Sequence, residues 1–158
     1  MSVSAIVMAA GKGTRMKSDL PKPLHQARGR TLLDWVIHAL TPETFDAVVA
    51  VVGHEGDQVI ASVNASFPDR EILFAEQLSQ RGTGDAAAVG LRALDSTAPS
   101  FSDDDHVLVL PGDTPLLRAD TLQAVVQAHL QADVAGTVVT ARVPVSYTHL
   151  TLPTTPYV

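Results

Sequence analysis

The stretch VSAIVMAAGKGTRMKSDLPK, residues 3–22, sets the terms for everything that follows it. Residues 3–10 are a short apolar run with a glycine at the exit, the pattern of a strand buried on both faces. The continuation is basic. Lys12, Lys17 and Lys22 are the only lysines of the chain, and Arg15 stands among them. Six of the eleven basic residues precede position 31, against one acid, Asp19, in a 158-residue chain of formal net charge −6. An acidic protein has gathered its positive charge around one glycine-containing loop after its first strand.

Moving outward, apolar runs alternate with helical patterns. TLLDWVIHAL (31–40) puts Leu32, Leu33, Val36, Ile37 and Leu40 on one helical face; Thr31 and Asp34 have capping-box spacing, and Pro42 closes the segment. Strands are expected over 46–53, 71–76, 106–113 and 133–143. Helices are expected over 56–67, 82–94 and 120–131. Continuous apolar strands alternating with helices predict an α/β fold: a Rossmann-like, mostly parallel sheet with helices on both faces. Right-handed crossovers then bring the loops 11–22, 53–57, 76–84 and 111–118 to one edge of the sheet, where such folds bind ligands.

Composition narrows the classes. The acidic balance argues against general nucleic-acid affinity, which needs a broad basic surface. The chain has no cysteine, which removes disulfides and thiolate metal sites. No apolar stretch approaches the roughly 18 residues of a membrane span. SAIVMAA has the look of a signal-peptide core, but its charges follow rather than precede it, so the expected location is cytoplasmic. The last segment, SYTHLTLPTTPYV (146–158), carries no charge and no periodicity. It reads as a non-native read-through tail, leaving 1–145 as a partial domain of a truncated chain.

The first loop is neither a phosphate loop nor a dinucleotide fingerprint. Gly11-Lys12-Gly13-Thr14 has the wrong order for the former, and Met16 stands where the latter needs its third glycine. Its residues nevertheless suit a nucleoside triphosphate. Gly11 and Gly13 let backbone N–H groups approach phosphate oxygens. Arg15 offers a planar fork of donors, and Lys22 a compact charge fixed in place by Pro21. An ordinary basic surface loop is the plain alternative.

MAAGKGTRMKSDLPKPLH resembles the signature of the sugar-1-phosphate nucleotidylyltransferases, a branch of the MobA-like NTP transferases. Its ending is most similar to that of the bacterial N-acetylglucosamine-1-phosphate uridylyltransferases, in which this domain is the N-terminal half of a bifunctional acetyltransferase. VVGHEGDQV (51–59), AEQLSQRGTGDA (75–86) and LPGDTPLL (110–117) extend the resemblance through residues 3–144. It implies a nucleotide-diphospho-sugar transferase fold that transfers a uridylyl group from UTP to N-acetylglucosamine 1-phosphate, with Mg²⁺. The parent protein would be a homotrimer through its second half, binding neither nucleic acid nor membrane. Acceptor-sugar residues would lie beyond residue 144, so the chain alone is expected to be inactive. Rival readings are a nucleotidylyltransferase for another sugar phosphate or for molybdopterin, and a non-catalytic relative that only binds ligands.

Roles follow from the resemblance residue by residue. Arg15 and Lys22 match the catalytic cations. Met8, Ala9, Ala10 and Gly11 match the backbone contacts to nucleotide, although small residues at 9 and 10 also suit strand packing. Gln77, five residues before Gly82, matches the uracil-reading glutamine, whose amide supplies both a donor and an acceptor. Gly82 and Thr83 open the following helix beside it. Gly112 and Asp113 close the strand, Asp113 matching the magnesium ligand. Asp103, Asp104 and Asp105 precede the strand and are read as a solvated face. His54 is read as structural, and His25, His38, His106 and His129 have no constellation. Two residues depart from the family pattern: Asp85 stands where histidine is usual, and Arg81, replacing an apolar residue, is expected to offset its charge.

Overall fold

The computed structural model describes residues 2–11, 18, 20–53, 56–79, 81–97, 102, 104–132 and 134–140. Four parallel strands form the sheet: β1 (Val3–Met8), β4 (Ala47–Val52), β5 (Leu73–Glu76) and β6 (His106–Pro111), in the order β5-β4-β1-β6. Between β1 and β4 lie a 3-10 turn (Lys22–Leu24), the two-residue strands β2 (Gln26–Ala27) and β3 (Arg30–Thr31), and helix α1 (Leu32–Ala39). Helices α2 (Gly56–Ser66), α3 (Thr83–Thr97) and α4 (Ala119–Ala132) complete the described elements. The β2–β3 hairpin, turning through Arg28 and Gly29 at φ +52° and +83°, escaped the sequence reading because two-residue strands carry no periodicity.

Side chains alternate across the central strands and feed two cores. Ala5, Val7, Val48 and Val52 face α1, α2 and α4, meeting Leu33, Ile37, Val63 and Leu122. Ile6, Val49 and Val51 face α3, meeting Ala86 and Leu94. Helices therefore cover both faces, as the continuous apolar strands require. Helix α3 lies unusually close to the sheet at Gly90: a Cβ there would sit 2.5 Å from Ile6 Cγ2 and 3.1 Å from Val51 Cγ2. Helix α1 begins with the expected capping box, Thr31 Oγ1 accepting from the Asp34 N–H at 3.0 Å while the Asp34 carboxylate accepts from the Thr31 N–H. At its other end the Arg70 guanidinium donates to the Ile37 carbonyl at 2.8 Å and to that of Leu40. The Ile37 carbonyl also accepts from the Leu40 N–H at 3.1 Å, so the guanidinium adds a second donor there and caps the end of the helix at Leu40.

The expected strand over 133–143 is not formed at its described residues. Residues 134–140 are exposed and join no ladder, Val138 being 85% exposed. A strand exists only by pairing, and this run instead leaves α4 over His129, whose Nδ1 meets Thr137 Oγ1 at 2.9 Å. Residues 141–143 and the segment 146–158 lie outside the described residues. Among the described residues no helix is long and apolar enough to cross a membrane.

Candidate functional site

Parallel strands end together, and their register fixes what meets at the C-terminal edge. Met8 pairs with Val51 on one side and Pro111 on the other, and Val52 pairs with Glu76. The residues just past these pairs therefore stand side by side: Gln77 after β5, Ala9 and Ala10 after β1, Gly112 and Asp113 after β6. Three strand spacings of about 4.8 Å separate the ends of this row by roughly 14 Å.

At the β1–β6 end, the Gly112 N–H donates to the Met8 carbonyl at 2.9 Å. Any Cβ at 112 would stand 3.0 Å from that oxygen and 3.3 Å from Leu33 Cδ1, so a glycine eases the close approach of the two exits. This contact seats Asp113 beside the start of the first loop, and Thr114 Oγ1 donating to the Pro111 carbonyl at 3.0 Å closes the turn. Lys22 arrives from the opposite direction. Pro21 and Pro23 bracket it in the 3-10 turn, and the buried Pro23 and Leu24 anchor that turn against α1 and α2. The Lys22 ammonium and the Asp113 carboxylate form an ion pair across 91 residues of sequence, with side chains 40% and 32% exposed. The two charged residues assigned to phosphate and metal are brought into contact.

The β5 end is built differently. The Gln77 N–H donates to the Val52 carbonyl at 2.8 Å, carrying the ladder one residue beyond the strand. The residue is nearly sealed, at 4% exposure, and so is not part of an open surface loop. Nε2 donates to Asp85 Oδ2 at 2.7 Å and to the Gly82 carbonyl at 3.3 Å. Gly82 takes φ +103°, a conformation that favours glycine, and turns the chain into α3. The Gly82 carbonyl also accepts from the Ala86 N–H at 3.2 Å, and Thr83 is exposed at the head of the helix. Asp85 spends its carboxylate on Gln77. Arg81, expected to offset its charge, is exposed and makes no ion pair with it among the described residues.

Met8, Ala9, Ala10 and Gly11 follow one another along the β1 exit, Ala9 and Ala10 buried and Gly11 exposed. The Ala9 N–H donates to the Val51 carbonyl at 2.8 Å, which carries the sheet one residue past β1. Arg15, Lys12, Lys17, His54, Gln80 and Asp103 lie outside the described residues. A cavity of about 610 Å³ runs along β6 and α4, lined by Leu108, Leu122 and Val126 among others; it includes none of Lys22, Gln77 and Asp113.

Two expectations about side chains away from this edge are corrected. His106 and His129 are not isolated: Nδ1 of the former and Nε2 of the latter are 3.1 Å apart, with the rings edge to face. Asp105 is not simply solvated. It accepts from the Ser2 N–H and, at 2.8 Å, from the Ser102 N–H, and these bonds hold its carboxyl well below the usual range. The His106–His129 and Asp105–Ser2 contacts join segments far apart in sequence, and neither motif nor periodicity signals them. Among the described residues no three His, Asp or Glu side chains group as a metal site, so a metal at this edge would rely on Asp113 and on ligand oxygens.

A parallel α/β sheet with a lysine–aspartate pair and a buried amide along its C-terminal edge has the architecture of a nucleotide-binding transferase. A family model described as MobA-like NTP transferase domain matches residues 5–154, and the chain belongs to this family. Curated relatives named bifunctional protein GlmU are 44% identical over 141 residues in Synechococcus elongatus and 40% identical over 144 residues in Lactococcus lactis. These alignments cover 89% and 91% of this chain, which spans about 29% of each relative's length. Among solved structures, 4-diphosphocytidyl-2C-methyl-D-erythritol synthase from Anaerococcus prevotii has a TM-score of 0.60 at 19% identity, covering 81% of this chain and 50% of that one. Rv0371c of Mycobacterium tuberculosis has a TM-score of 0.59 at 23% identity, covering 81% and 60%. Their similarity is one of fold.

Proposed function

We propose that this chain carries the UTP-binding half of a uridylyltransferase that acts on N-acetylglucosamine 1-phosphate. The observation that carries the proposal is the Lys22–Asp113 ion pair beside the β1 exit, on the same sheet edge as the buried amide of Gln77. The similarity to GlmU proteins supports the choice of substrates. In this reading the base lies over Gln77, Gly82 and Thr83. The triphosphate crosses the β1 exit along Met8, Ala9, Ala10 and Gly11 and ends between Lys22, Gly112 and Asp113.

A hard carboxylate with one side open to solvent suits Mg²⁺ held by Asp113, by phosphate oxygens and, as the family resemblance implies, by a second ligand beyond residue 144. When bound, the ion would offset charge on the α-phosphate and on the departing diphosphate. A phosphate oxygen of the sugar phosphate attacks the α-phosphorus, the new O–P bond forms, and diphosphate leaves with the electrons of the broken bond. No protein nucleophile is required. Arg15 and Lys22 would hold the phosphates in line and stabilise the charge that develops on them. Such polar, phosphorylated substrates fit a cytoplasmic reaction.

Titration of the chain with UTP, with and without Mg²⁺, tests this reading. Saturable binding that strengthens with Mg²⁺ is expected, and Asp113→Ala should remove the Mg²⁺ dependence. Binding of UTP indifferent to Mg²⁺ and to Asp113 would refute the assignment of that carboxylate.

A further inference from the structure

The sequence offered Gln77 as a side chain with both a donor and an acceptor to present to a base. The structure leaves only one of them. Both groups against Nε2, the Asp85 carboxylate and the Gly82 carbonyl, are pure acceptors. Turning the amide over would press Oε1 against two oxygens, and on a side chain only 4% exposed such a mismatch is costly. The orientation is therefore dictated by chemistry. Among the described residues Oε1 accepts no hydrogen bond, which makes it the one hydrogen-bonding atom of the amide not already committed.

We propose that Asp85 is a positioning residue that turns Gln77 into a one-way reader: the NH2 group is held inward, and the site offers a bare oxygen that accepts a ring N–H. A uracil brings such a donor at N3. A cytosine brings a lone pair at the same position and is repelled. This inference rests on the placement of the base at Gln77 made above. It also assigns a purpose to the residue that departs from the family pattern, since a carboxylate accepts from the amide without offering any hydrogen of its own. Arg81 has no part in it.

The test is a set of binding titrations on the chain with Mg²⁺ and three probes: UTP, CTP and N3-methyluridine triphosphate. The unmodified chain should bind UTP about tenfold more tightly than either of the others, the worth of one hydrogen bond at this depth. Asp85→Ala leaves Nε2 with one partner and frees the amide to rotate, and the preference for UTP over CTP should fall about fivefold or more. Asp85→Asn keeps a carbonyl acceptor and should hold most of the preference, so it also reports should the alanine variant fail to fold. Gln77→Ala and the double variant Gln77→Ala/Asp85→Ala should show the same preference as each other, because Asp85 acts through Gln77. An undiminished UTP preference in Asp85→Ala, or equal binding of the N3-methyl probe, overturns the inference alone. Failure of the unmodified chain to bind any of the three overturns the nucleotide site itself.

Discussion

Lys22 and Asp113 meet across most of the chain and remain open to water, whereas Gln77, nearly sealed itself, meets a half-buried Asp85 only eight residues away. The first contact is an exchangeable one. A partly exposed ion pair is worth about 0–1 kcal/mol, so phosphate and a divalent ion can replace each partner at little cost. The second is pre-set: a neutral amide whose hydrogens are already spent. In the proposed function, one end of the edge takes up charge as the reaction proceeds and the other judges the base before it begins, and the two differ accordingly in geometry, charge and solvent access.

This contrast can be broken at either end. The largest effect is expected from Lys22→Ala or Arg15→Ala in a protein extended to the length of the curated relatives. Turnover should fall by about 10²–10³, the usual loss for one group that stabilises transition-state charge. The UTP-to-CTP preference should stay unchanged, and steady-state rates with both nucleotides would check this. A loss under about tenfold, or a shifted preference, would show that the two ends are not separate. A smaller effect is expected from Gly112→Ala, which sets a Cβ 3.0 Å from the Met8 carbonyl. Overpacking of this kind costs about 1–3 kcal/mol, visible as a lowered denaturation midpoint, and Mg²⁺-dependent UTP binding should weaken because Asp113 is displaced. Smallest is Asp105, remote from both ends. Its carboxyl is depressed by bonds to the Ser2 and Ser102 N–H groups, so its stabilisation is complete above the unfolded value of about 3.9. That stabilisation is lost as pH falls through the lower folded value. Asp105→Asn should flatten the acid limb of the stability curve and leave nucleotide binding as it was.

Much of the scaffold was legible because it rests on local signals. Continuous apolar runs marked the four strands, helical spacing and the Thr31–Asp34 box marked α1, and glycine at 82 marked the entrance of α3. The parallel arrangement followed from the alternation of elements, and with it the edge on which the motif residues gather. What could not be read were contacts made across the fold. Nothing near Lys22 announces Asp113 as its partner, and the pairing of His106 with His129 depends on β6 and α4 lying together. Asp85 was visible only as an oddity; its bond to Gln77 needs the turn at Gly82 to fold helix and strand exit onto each other. The expected strand at 133–143 failed for the opposite reason: a local pattern cannot guarantee a neighbour to pair with.

The bare backbone at Gly90 gives α3 its seat on the sheet, and Asp85 rides on the same helix about 7.5 Å nearer the amino end. A single methyl group at position 90 would collide with Ile6, and any outward shift of α3 that relieves the clash carries Asp85 with it. In the proposed function, selection of the nucleobase thus depends on a buried seat of the helix that lies away from the base itself.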